Sequence, residues 1–381
     1  MSRGLLVGKF LFTPYVILII THCISFSMWL FPSFGFLRKG FEEHADIFSF
    51  SGFLALFYIF FLVLMSWVFY RLGNTFNLVR GDGVAMPKMF LNVTLVLSFA
   101  GVFALLIKVF SLGGSSFIWE VLSGGQANQL KYLLYEGYSF GVLTFRYFVV
   151  IAAAVATLML VEKRAGYLVF SLALILLLVV SLVSSRLTLV MSFFIFLYLY
   201  VSKKGHIYLS YRQMVLGGVG GFLLLSILNY SRNYGYYEFI GQGFFAAGFS
   251  EIMTYLGTPF QGLLAAISQP YQDAAVNHNA YSTIEYSLTT NSSLLEVIAK
   301  IGEWGVLYSF FFVCLMSFFS GILSTSNSLP LMVSNGVILY GFAEYWRLFF
   351  FDKGIFLVLF LLPILFTIVN SLRNATWRKT F

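Results

Sequence analysis

Apolar residues in this chain come in long runs and not in strand-like alternation. Ten runs stand out: Phe10–Phe31, Ser51–Tyr70, Met89–Val109, Gly141–Val161, Gly166–Ser185, Leu187–Val201, Val215–Tyr230, Trp304–Leu323, Leu329–Ala343 and Gly354–Leu372. A helix needs about 20 apolar residues to cross the hydrocarbon core of a bilayer. The pattern therefore predicts about ten transmembrane helices, with three short runs extending into neighbouring polar residues. No water reaches backbone groups in lipid, so a helix that satisfies its own N–H and C=O groups is the expected spanning element. The fold class read from the pattern is an all-α, polytopic integral membrane protein, one multi-spanning domain over residues 1–381.

Between the runs, two connecting segments are long: Ser111–Phe140 and, largest, Ser231–Glu303. Within the second, Phe244–Ser268 is apolar but interrupted by Gly248, Glu251, Gly257 and Pro259. We read it as an interfacial or re-entrant helix, because an eleventh span would invert the C-terminal charges. No internal repeat and no low-complexity linker is visible.

Composition agrees with the pattern. Of 381 residues, 60% are hydrophobic and only 10% charged, against about 25% charged in soluble domains. Such a chain cannot cover a water-facing surface. The 20% aromatic content suits lipid-facing helices and interfacial belts. The net charge of +8 is read as a positive-inside signal and not as a nucleic-acid footprint. With the N-terminus inside, the inner connections collect Arg3, Lys9, Arg71, Arg80, Lys88, Lys163, Arg164, Lys203, Lys204, Arg212, Arg373, Arg378 and Lys379 against the acids Asp82 and Glu162. The outer side is net acidic. Both termini are thus expected in the cytoplasm and the long 231–303 connection outside. Phe10–Phe31 is long enough to span and no small-residue cleavage site follows it, so it is expected to stay as a span.

Several chemistries find no footing. Cys23 and Cys314 lie in apolar runs and form no CxxC pair. There is no P-loop, no HExxH and no paired-aspartate DxD. Gly241-Gln-Gly243-Phe-Phe-Ala246 follows no βα unit and is read as chance. His22, His44, His206 and His278 are far apart in sequence, so neither metal nor cofactor is expected.

The charged positions are more informative. The middles of the runs contain no Asp, Glu, Lys or Arg, which argues against an ion-coupled transporter binding at the midplane. Lys108, Arg146, Glu344 and Arg347 fall near outer run ends, and Arg186 and Arg232 terminate runs on that side. A set of arginines there suits an anionic group at the outer surface, since guanidinium grips phosphate oxygens bidentately. The plainer account is snorkelling to the interface. Tyr234 beside Arg232 adds an aromatic face suited to sugars. Gly217-x-x-x-Gly221 is expected to serve close helix packing.

Three local features go further. Ser184-Ser185-Arg186 between two apolar runs, Arg232 followed by Gly243 at the spacing R-x10-G, and Asn291-Ser-Ser-Leu294 leading to Gly302-Glu-Trp-Gly305 together resemble the O-antigen polymerases, within the O-antigen polymerase/ligase superfamily. The resemblance covers the architecture of most of the chain and the motifs of about Leu182–Tyr308. It implies a bacterial inner-membrane glycosyltransferase. A glycan on undecaprenyl diphosphate would be moved onto a new lipid-linked repeat unit at the periplasmic face, and undecaprenyl diphosphate would leave. It implies as partners the lipid-linked glycan donor and acceptor, membrane lipids and a chain-length regulator, with no nucleic acid and no cofactor. Under it, Arg186, Arg232, Glu238 and His278 are the catalytic candidates, and Arg146, Arg347, Gly243, Tyr234 and Asn291 the substrate-binding ones. Glu251 and Asp273 stand beside Glu238 and His278 as possible bases. The alternatives are an O-antigen ligase, against which Thr290 stands where the ligases have histidine, and a lipid-linked-sugar flippase.

Overall fold

The computed structural model describes residues 4–30, 48–76, 86–123, 141–183, 187–232, 238, 241, 243–268 and 292–377. These are almost entirely helical. Six helical stretches are long and apolar enough to cross a membrane: Phe50–Asn74, Met86–Ser111, Val142–Val161, Leu187–Lys204, Ser293–Ser324 and Gly354–Arg373. Pro14–Trp29, Tyr167–Val183 and Leu329–Glu344 are shorter apolar helices. The chain is a helical, membrane-embedded protein. It divides into two compact units.

The first unit takes Met1–Thr75, His206–Gly321 and Gly341–Phe351. Strands β1 (Gly4–Gly8) and β2 (His206–Ser210) pair antiparallel, from Gly4 opposite Ser210 to Gly8 opposite His206. Helix α1 (Pro14–Trp29) begins on a proline, whose fixed φ suits the first helical position. Helix α2 (Phe50–Asn74) is capped by Ser49, whose hydroxyl accepts from the Gly52 amide at 3.2 Å.

The second unit takes Phe76–Gly205, Ile322–Tyr340 and Asp352–Phe381. It holds α3 (Met86–Ser123), a 3-10 turn at Val142–Tyr147, α4 (Phe148–Val161), α5 (Tyr167–Val183) and α6 (Leu187–Lys204). Helix α4 is its centre, buried without interruption from Phe148 to Ala156. The alanines Ala152, Ala153 and Ala154 let α3, α5 and α6 approach from several sides. Helix α3 continues to Ser123, so the connection expected to start at Ser111 begins with further helical turns.

Back in the first unit, α7 (Tyr211–Arg232) follows β2 directly. Ser210 and Gln213 form a reciprocal cap: the Gln213 amide donates to Ser210 Oγ at 3.3 Å, and the Ser210 amide donates to Gln213 Oε1 at 3.0 Å. Helix α8 (Phe244–Ser268) is one continuous helix, despite the Gly and Pro interruptions. The reason is packing. A Cβ on Gly248 would run into Ser226 of α7, and one on Gly257 would lie 3.1–3.2 Å from the backbone of Met28 and Trp29 in α1. The glycines mark close approaches, where neighbouring helices offset their propensity cost of about 1 kcal/mol each. Gly217 and Gly221 on α7 behave otherwise. No described atom lies within 4 Å of a Cβ at either position, so the expected close packing there is not made among the described residues.

The chain then forms α9 (Ser293–Ile301), a 3-10 turn at Gly302–Trp304, α10 (Gly305–Ser324), α11 (Leu329–Glu344) and α12 (Gly354–Trp377). Gly302 sits at φ +65, a left-handed conformation that favours glycine, and Gly305 presses against Ile298. These demands account for the Gly-x-x-Gly spacing by backbone geometry alone. Helices α2 and α10 meet at Gly73 and Gly321, each facing the other helix's backbone, and Ser66 and Ser317 hydroxyls bond at 2.8 Å nearby.

Candidate functional site

Polar groups are scarce enough that each buried one needs a partner. In the first unit they gather where Gly341–Phe351 meets α1, α2, α8 and α9. The end of α11 places Glu344 at a helix C-terminus, where the macrodipole disfavours a carboxylate. Arg347 answers it. After α11 the chain stays curled, with the Arg347 amide donating to the Glu344 carbonyl at 3.0 Å, which brings the guanidinium back onto the Glu344 side chain as an ion pair. Both side chains are over 90% buried. The guanidinium also lies over the Tyr255 ring of α8, 4.9 Å from its centroid, a cation–π contact that strengthens as water is excluded.

Aromatic packing and one carboxylate fix the rest of the segment. Glu296 of α9 accepts the Phe349 amide at 3.0 Å through one oxygen and Lys300 at 3.0 Å through the other. Phe349 packs on Tyr308, Phe312, Tyr345 and Phe351, and Gly341 leaves room for the Phe351 ring. A rigid wall is therefore built behind Arg347.

Beside it is a small pocket lined by both polar and apolar side chains, with room for about one water molecule. His22 and Ser25 of α1, Tyr58 of α2, Pro259, Phe260 and Leu263 of α8, Ser292–Leu294 at the start of α9, and Trp346 line it. Trp346 joins pocket and arginine: its ring contacts Tyr255 at 6.4 Å between centroids, and Tyr255 carries the Arg347 guanidinium. The Tyr58 hydroxyl is bonded to that of Tyr345 at 3.0 Å. Ser25 donates to the Leu256 carbonyl at 2.8 Å, and the Trp29 indole N–H donates to Gln261, so α1 and α8 are locked on either side of the pocket.

Of the expected site residues, Arg347 lies in this cluster. Arg146 belongs to the second unit, in the 3-10 turn before α4. It is 1% exposed, its Nη2 donates to the Tyr147 hydroxyl at 2.8 Å, and Gly101 of α3 packs on its backbone. Arg146 is thus buried. Arg232 ends α7, but its side chain is outside the description, as is that of Glu251. Glu238 and Gly243 are exposed, and a Cβ at Gly243 would meet nothing within 4 Å. Arg186, Tyr234, Asp273, His278 and Asn291 lie outside the described residues. Among the described residues no group of three or more His, Cys, Asp or Glu is placed to hold a metal ion.

Three residues of the pocket carried no signal in the motifs, His22, Tyr58 and Trp346, whereas Ser292, Ser293 and Leu294 belong to the Asn291–Leu294 motif. One signal was available. His22 lies within an apolar run, and an ionisable residue there is a functional candidate in its own right.

Comparison with protein-family models, with curated proteins and with solved structures finds no match to this chain.

Proposed function

We propose that this protein is a membrane glycosyltransferase of the O-antigen polymerase kind, extending a polyprenyl-diphosphate-linked glycan at the outer face of a bacterial inner membrane. The observation that carries the reading is Arg347, held by Glu344 and Tyr255 and connected through Trp346 to a small pocket that His22, Ser25, Tyr58, Ser292 and Ser293 help to line. A diphosphate leaving group needs fixed cations where its charge develops. Preorganised donors of that kind contribute roughly 10²–10³-fold each. Arg186 and Arg232, at run ends on the same side by the charge count, supply further guanidinium groups in this reading. Burial of the Arg347 site excludes water, which would otherwise compete as an acceptor.

Deleting the gene and separating the surface polysaccharide on a gel tests this. Loss of long chains with a single repeat retained supports a polymerase. An unchanged ladder refutes it, and lipid-linked polymer accumulating unattached points to a ligase. On the restored strain, Arg232→Ala is expected to abolish extension while the protein still inserts in the membrane.

A further inference from the structure

We propose that His22 accepts the proton of the acceptor sugar's hydroxyl, and that the pocket it lines is the seat for that hydroxyl. The inference deepens the polymerase reading and rests on it. The geometry begins with the tautomer. His22 Nδ1 lies 2.8 Å from the Leu18 carbonyl oxygen. A carbonyl only accepts, so Nδ1 carries the hydrogen and Nε2 of the neutral ring keeps its lone pair. Helical geometry therefore sets the tautomer, because Leu18 is one turn before His22 on α1. His22 is among the residues that line the pocket.

The chemistry of the lining selects the ligand. Besides His22, none of the residues around the pocket carries a formal charge; the polar ones are Ser25, Tyr58, Ser292, Ser293 and Trp346. Such a lining suits a neutral hydroxyl and not a diphosphate, which belongs with the arginines. The size agrees: space for about one water is space for one hydroxyl. His22 lies seven residues before the end of α1, roughly 10 Å along the axis. In the proposed orientation that is below the outer end of the helix.

The step balances as follows. The acceptor O–H bond breaks and its proton moves to Nε2. The oxygen pair attacks the anomeric carbon of the donor glycan. The bond from that carbon to the diphosphate oxygen breaks, and polyprenyl diphosphate departs with the electron pair. The imidazolium then returns its proton to water when the site opens.

The test uses the full-length protein in the deletion strain. Wild type is expected to restore the ladder. His22→Gln keeps an amide N–H able to reach Leu18 but cannot take a proton. It is expected to reach the membrane at wild-type level and to slow extension about 10²–10⁴-fold. His22→Gly opens space for imidazole, and added imidazole is expected to restore part of the ladder. Normal extension by His22→Gln, or no rescue of a membrane-inserted His22→Gly, overturns the role of His22 and leaves the polymerase reading standing. Failure of the wild-type gene to restore any ladder overturns the polymerase reading itself.

Discussion

Removing Arg347 separates two roles that one side chain would otherwise confuse. The guanidinium and Glu344 form an ion pair with both side chains over 90% buried. Arg347→Met keeps the stem volume and deletes the charge, so Glu344 becomes a buried carboxylate without its cation. Breaking one side of such a pair costs about 3–5 kcal/mol. At 1.36 kcal/mol per decade that is roughly two to nearly four decades in the folding equilibrium. The further loss of the contact with Tyr255 adds on the order of 0.5–2 kcal/mol. Arg347→Met alone should therefore unfold easily and lose activity for a trivial reason. The double variant Arg347→Met/Glu344→Leu removes both charges. Replacing a whole buried pair by apolar groups is often neutral or stabilising, so its stability should return to near wild type. Heating the detergent-solubilised protein and following its monodisperse fraction by size exclusion reads stability, and the polysaccharide ladder reads function. The expected outcome is a recovered thermal midpoint with no recovery of long chains. A double variant that is both stable and fully active would show that Arg347 serves only to neutralise Glu344, and would remove it from the site.

The close approach of α2 and α10 gives a structural counterpart. Gly73→Leu would force the Phe318 backbone away and break the Ser66–Ser317 bond, itself worth roughly 0.6–1.7 kcal/mol between membrane helices, so its thermal midpoint should fall clearly, while Gly217→Leu, in open space on α7, should leave it unchanged. Orientation is tested by Glu238→Cys in a background with Cys23 and Cys314 changed to Ser: the exposed position should react with a membrane-impermeant maleimide on intact spheroplasts, and labelling only after lysis would place the 231–303 segment in the cytoplasm and end the polymerase reading.

The helices were legible because run length is a property of each segment alone. Phe50–Asn74 and Gly354–Arg373 follow from their apolar runs with little adjustment. What each glycine or proline does was not legible, because its meaning depends on a partner far away in sequence. Gly248 and Gly257 look like breaks until Ser226 and the Met28–Trp29 backbone fill the space beside them. Gly217 and Gly221 look like a packing face, yet nothing described comes near them. The same residue type carries opposite readings, and only the neighbouring helix decides.

Arg146 and His22 show the corresponding limit for sites. Both lie in or beside apolar runs, and charge placed the arginine among the binding candidates and left the histidine out. In the structure Arg146 is 1% exposed, its Nη2 donates to the Tyr147 hydroxyl and Gly101 packs on its backbone. His22 gave no signal because the four histidines are distant from one another in sequence. Yet a neutral ring is what a buried base requires, since a permanent charge in that apolar setting would need a counter-ion. A search of apolar runs for groups able to change protonation, and not for groups already charged, would have picked out His22 and its α1 position. Tyr58 and Trp346 would still have been missed, since only the packing of α2 and the turn after α11 brings them to the pocket that Ser292 and Ser293 of the Asn291–Leu294 motif also line.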